Sequence, residues 1–97
     1  MTNKANDFEM PQSLPYQCDR DFVLVAEDGG RFSWNGAGDY EGDYCAFESY
    51  RTIEQAAADA VFRLSIANGE DCATAVMAVF LAKLPTECLD LDNIDYP

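Results

Sequence analysis

An α+β domain, with a small three-stranded antiparallel β-sheet packed against two main α-helices, is predicted by three observations in this 97-residue chain. Short β-branched or aromatic runs bounded by Gly and Asp fill residues 22–47. Apolar residues at helical spacing, opened by recognisable caps, fill residues 52–84. Hydrophobic residues make up 48% of the chain, with six Phe, five Tyr and the single Trp34 among them. That content is enough for one core, and it excludes the disordered class, which combines low hydrophobicity with high net charge.

The expected order is an extended N-terminal arm over residues 1–17, a β-meander over 18–50, two helices over 52–84 and a tail over 85–97. Pro11 and Pro15 fix φ and remove donors in the arm, which can dock through Phe8, Met10, Leu14 and Tyr16. Phe22-Val23-Leu24-Val25-Ala26 reads as a strand. Glu27-Asp28-Gly29-Gly30 reads as its turn and Arg31-Phe32-Ser33-Trp34 as the returning strand. Asn35 to Asp43 holds three glycines and three acids and reads as a loop, after which Tyr44-Cys45-Ala46-Phe47 resumes the strand pattern as the third member of the meander.

Thr52 and Gln55 match a capping box ahead of Ile53, Ala56, Ala57, Ala60, Val61, Leu64 and Ala67, all on helical spacing. Asn68-Gly69 supplies the stop, and Asp71 caps a second helix from Cys72 to Leu84 that Pro85 ends. That second helix is apolar around most of its circumference. It is therefore either buried between the sheet and the first helix or partly an interface. The tail alternates acids with Leu89, Leu91, Ile94 and Tyr96, a pattern that suits folding back on the domain.

Several function classes lack their residues. There is no His, hence no imidazole base and no activated Cys nucleophile, and no G-x-S-x-G occurs. The carboxylate pairs Glu27/Asp28 and Glu41/Asp43 read as surface rather than as acid/base machinery. Gly36-Ala37-Gly38 has no following Lys and lies among acids, so it repels phosphate rather than cradling it. A calcium reading of Asn35, Asp39, Glu41 and Asp43 lacks the order and terminal Glu of an EF-hand loop. Cys18, Cys45, Cys72 and Cys88 are widely spaced without a C-x-x-C pair and read as small buried apolar residues in a reducing compartment. No secretory signal is visible in residues 1–17 and no apolar run reaches about 20 residues, so a cytoplasmic location is expected. The expectation is a non-enzymatic protein with no cofactor and no metal.

What remains is charge. Eighteen Asp/Glu against six Lys/Arg give a net charge of −12, a field that attracts basic partners and repels phosphates. Asp39, Glu41, Asp43 and Glu48 fall in a stretch without a base, and Glu27 and Asp28 occupy the first turn. On an extended strand, alternate acids would project about 6.6 Å apart, a repeat comparable to successive phosphates of a nucleic-acid strand. A row of this kind can fill a Lys/Arg groove built for DNA. Tyr40 and Tyr44, between these acids, can stack on Arg or anchor an interface. Glu54 and Asp59, expected to be exposed on the first helix, extend the row.

In size, charge and expected architecture the whole chain resembles the small acidic phage- and prophage-encoded anti-CRISPR proteins, in particular type I-F inhibitors of the DNA-mimic kind. The resemblance rests on no shared motif. It implies a viral protein, acting in the host bacterial cytoplasm, that binds the RNA-guided surveillance complex (the Csy complex) on the basic surface of its large subunit, with its backbone subunits as further contacts. Target DNA is then excluded by competition. It implies no direct nucleic-acid binding and no membrane role, and a monomer suffices. The acids this sequence offers for that role are Glu27, Asp28, Asp39, Glu41, Asp43 and Glu48. Two other classes share the composition: an acidic antitoxin or immunity protein covering a basic nuclease, and a small phage structural or assembly protein whose apolar second helix is an oligomer contact.

Overall fold

The computed structural model describes residues 16–18, 21–86 and 89. Most of the expected arm over 1–17 (residues 1–15, with Phe8, Met10 and Leu14) and most of the expected tail over 85–97 (residues 87, 88 and 90–97, with Cys88, Leu91, Ile94 and Tyr96) lie outside the described residues. The elements are β1 (Tyr16–Cys18), β2 (Phe22–Glu27), β3 (Arg31–Gly36), α1 (Ile53–Ala67) and α2 (Cys72–Leu81). They build a small α+β fold.

β2 and β3 form an antiparallel hairpin paired from Phe22↔Gly36 to Glu27↔Arg31. The turn between them needs Gly29 and Gly30, both at positive φ, a conformation that costs any residue with a Cβ. β1, whose Tyr16 and Gln17 fall in the expected arm and whose Cys18 opens the expected meander, pairs antiparallel with the other edge of β2, Tyr16 opposite Leu24.

The third strand expected at Tyr44–Phe47 is not formed. That segment follows the free edge of β3 and touches it through two isolated bridges, Asn35↔Cys45 and Phe32↔Tyr50. A constant antiparallel register running on from Asn35↔Cys45 would set Phe32 opposite Glu48. The observed pairing with Tyr50 leaves two extra residues, so Phe47 and Glu48 bulge outward. Two cations hold the bulge. Arg31 donates from Nε to Ser49 Oγ at 2.6 Å and from Nη2 to the Ser49 carbonyl at 2.8 Å, and the Arg63 guanidinium lies 4.3 Å from the Phe47 ring centroid.

Both halves of the capping box open α1: Gln55 N–H donates to Thr52 Oγ1 at 3.1 Å and Thr52 N–H to Gln55 Oε1 at 3.3 Å. Gly69, at φ +94°, closes it, with Gly69 N–H bonded to the Ile66 carbonyl and Glu70 N–H to that of Ser65, the two bonds of a Schellman cap. α2 starts on Asp71, whose side chain accepts from Thr74 N–H at 2.8 Å. It stops at Leu81, three residues short of the expected end. Lys83 takes φ +62° while its N–H bonds to the Phe80 carbonyl and that of Leu84 to Val79. This second Schellman cap also buries Leu84 and Val79, the apolar pair that commonly completes the motif.

α1 packs on β3 and β2 on one side and on α2 on the other. The middle layer is therefore the first helix, not the second. Its run Ala56-Ala57-Ala58 and Ala60, all fully buried, lets backbones approach closely on both sides. Phe22, Leu24, Trp34, Phe62, Val79 and Leu84 fill the core around it. Phe22 meets Trp34 edge to face at 6.5 Å.

Candidate functional site

The loop from Gly38 to Glu48 leaves the end of β3 and carries most of the acids singled out in the sequence. It is a sequence of turns, not an extended row. Gly38–Tyr40 forms one turn of 3₁₀ helix, and the Tyr40 carbonyl then accepts from both Asp43 N–H and Tyr44 N–H. Gly38 and Gly42 sit at positive φ, which supplies the reversals. Asp39, Glu41 and Asp43 consequently do not alternate along one edge, and the 6.6 Å repeat expected for them is absent. They remain together as exposed carboxylates on a compact turn, with Glu48 exposed on the bulge that follows.

The loop is fixed to the domain from beneath. Ala37 N–H donates to the Asp21 carbonyl and Gly36 N–H to the Tyr44 carbonyl, each at 2.8 Å. Gly36 is required by close approach: a Cβ there would overlap the Tyr40 carbonyl and its side chain. Tyr40 is half-buried against the core and meets Tyr44 edge to face at 5.4 Å. Of the two tyrosines proposed as Arg platforms, only Tyr44 is exposed; Tyr40 supports it. Phe47, 73% exposed, lies beside Glu48 and adds an aromatic contact that the sequence pattern had assigned to a strand.

Glu27 and Asp28 are exposed at the opposite end of the hairpin. Five strand steps separate the two ends, about 17 Å, so the two acidic clusters edge the same hairpin without merging.

Asp59 departs most from expectation. It was expected to extend the exposed row, yet it is 1% exposed. Its carboxylate accepts from Trp34 Nε1 at 2.9 Å and from Arg63 Nε at 2.7 Å. The Tyr50 hydroxyl bonds to the same group; burial first, then Asp59, holds that phenol well above its usual range. A buried carboxylate is tolerated because these donors satisfy it, and among the described residues no buried side-chain N or O lacks a partner. Two signals pointed to this: the alanines flanking Asp59 on both sides, and a cation four residues on. Glu54 is exposed as expected.

An open cleft of about 240 Å³ lies beside the loop, lined by Asp21, Tyr40, Val61, Leu64, Ser65, Asn68 and Glu70. It brings two further carboxylates near the acidic turn, and no sequence spacing marks them. Among the described residues no three or more Cys, Asp or Glu side chains gather in a group that could hold a metal ion. Cys45 is exposed rather than buried, and neither it nor Cys72 is in a disulfide. No helix among the described residues is long and apolar enough to cross a membrane.

Chemically, the arrangement offers a carboxylate-rich, aromatic-flanked surface near which Arg31 is engaged by Ser49 and Arg63 by Asp59, while Arg51, three residues after Glu48, is exposed. No protein-family model, curated protein or solved structure matches this chain.

Proposed function

We propose that this protein is a non-enzymatic inhibitor that occupies a basic DNA-binding surface of a protein partner, and that it acts as an anti-CRISPR protein on the type I-F surveillance complex. The observation that carries this reading is the loop Gly38–Glu48. It presents four exposed carboxylates with no base among them, on a chain of net charge −12. The mimicry is one of local field rather than of phosphate register, because the acids cluster on turns. Such a field speeds encounter with a Lys/Arg surface and competes with the phosphate contacts that dominate DNA affinity.

The test is a gel-shift competition in which the protein is titrated into the purified surveillance complex before its matching target DNA. Loss of the shifted band at stoichiometric amounts, with direct binding to the complex, is the expected result. An unchanged shift rejects the mechanism.

A nuclease-covering antitoxin is the second reading, and exposed Phe47 next to Glu48 favours it. An aromatic anchor beside carboxylates suits a concave protein active site. Inhibition of a basic nuclease without any effect on the surveillance complex would select it.

A further inference from the structure

α2 forms the outer layer of the fold, and its solvent face is apolar. Ala73, Thr74, Met77, Phe80 and Leu81 are exposed, with Met77 at 53%, Phe80 at 65% and Leu81 at 48%. At 3.6 residues per turn these five positions fall within about 120° of the helix circumference, with Met77 at the centre. Met77 is also the axial midpoint of the stripe. The helix Cys72–Leu81 contains no charged residue. The stripe is bounded instead by opposite charge at its two ends: Glu70 and exposed Asp71 at the N-terminus and exposed Lys83 just beyond the C-terminus.

We infer that this face is the contact of a homodimer in which two copies of α2 pack antiparallel about a two-fold axis at Met77. Antiparallel pairing sets the Asp71 end of each copy against the Lys83 end of the other and opposes the helix dipoles. Parallel pairing would set like charge against like. A two-fold contact is self-complementary, which a stripe symmetric about its own midpoint satisfies: Met77 meets Met77, Ala73 meets Leu81 and Thr74 meets Phe80. The small residues at one end make room for the large ones at the other. The charge-free face is also where two chains of net charge −12 can approach at least cost. α2 lies on the far side of α1 from the hairpin, so each copy keeps its acidic loop accessible. The inference does not depend on the function proposed above.

A helix of ten residues is about 15 Å long and covers less than the ~800 Å² per partner of a standard interface, so the dimer is weak and has to be sought at high concentration. Sedimentation of the full chain should show the two-chain mass at several hundred micromolar and the single-chain mass at a few micromolar, roughly the range for a small interface. Salt should strengthen the association by screening repulsion between the copies, whereas it weakens binding to a basic partner. Phe80→Asp, at an exposed site, should keep the helical circular dichroism and remain single-chain throughout. In a Cys45→Ser background, Met77→Cys should form an intermolecular disulfide much faster than Ala73→Cys, since only residue 77 meets its own copy. A single-chain mass for the unaltered protein at every concentration overturns the inference, as does self-association unaffected by Phe80→Asp. Ala73→Cys cross-linking as fast as Met77→Cys overturns the antiparallel geometry.

Discussion

The Asp59 carboxylate accepts the Trp34 indole N–H at 2.9 Å across 25 positions of sequence, tying the middle of α1 to the centre of β3. The same carboxylate takes Arg63, whose other contact is the Phe47 ring on the bulge below the acidic loop. The helix, the sheet and the base of the candidate site therefore share one buried anion.

Replacing that anion should cost more than replacing any exposed acid. Asp59→Asn keeps the volume but leaves Arg63 without its charge partner and removes one acceptor. The expected loss is about 3 kcal/mol, typical for a broken buried pair. Denaturant unfolding followed by Trp34 fluorescence measures it. A loss under about 0.5 kcal/mol, the range of ordinary surface substitutions, would show that the network contributes little.

Gly36 lets the loop return over the end of β3. Gly36→Ala would push a methyl group into the Tyr40 carbonyl, and backbone cannot swing aside as a flexible side chain does. A destabilisation of about 1–3 kcal/mol is expected from this overpacking, with a changed near-ultraviolet tyrosine signal as the Tyr40–Tyr44 pair shifts. The same stability as the unaltered protein would contradict the close approach.

Tyr50 gives the fold an alkaline limit. Its hydroxyl is held above the ordinary value of 10.0 by burial and by Asp59, so the folded state keeps a proton that the unfolded chain gives up. This contribution is fully present below about pH 10 and is lost as pH rises beyond it, by up to about 1.4 kcal/mol per unit. In Tyr50→Phe that titration is gone. Its urea midpoint should fall less between about pH 9 and pH 11 than that of the unaltered protein; parallel curves would refute the assignment.

Asp71 acts in the opposite direction. The Thr74 backbone N–H, then the Thr74 side chain, holds its carboxyl below the usual value. Its stabilising effect is present above about pH 4, the unfolded value, and fades as pH falls through the lowered folded value. Asp71→Ala should lower the helical signal of α2 at neutral pH and narrow the difference from the unaltered protein in acid. A difference that stays constant down to about pH 2 would contradict this.

The helices and the hairpin were legible because their signals are local. Thr52 with Gln55, Asn68-Gly69 and Asp71 each act within one turn of chain, and Gly29-Gly30 marks its own reversal. The end of α2 was misplaced because a Lys, not a Gly, occupies the left-handed cap position. Tyr44–Phe47 has strand composition, but its register is set from far away, by Arg31 on Ser49 and Arg63 on Phe47. The acids of the loop share one exposed turn because they are close in sequence, while their extended geometry was not formed, since Gly38 and Gly42 turn the chain between them. Asp59 was misplaced for a related reason: polarity predicts exposure, and only the fold brings Trp34, Tyr50 and Arg63 around it.

The most direct test of the central claim compares two variants in competition with target DNA for the surveillance complex. One neutralises the loop acids (Asp39→Asn, Glu41→Gln, Asp43→Asn); the other neutralises the C-terminal acids Asp90, Asp92 and Asp95 in the same way. Three exposed charges at an interface contribute roughly 1.5–3 kcal/mol together, so the loop variant should need about 10- to 100-fold more protein to displace DNA, while the tail variant should match the unaltered chain. Equal displacement by all three proteins, or a loss confined to the tail variant, would contradict the account.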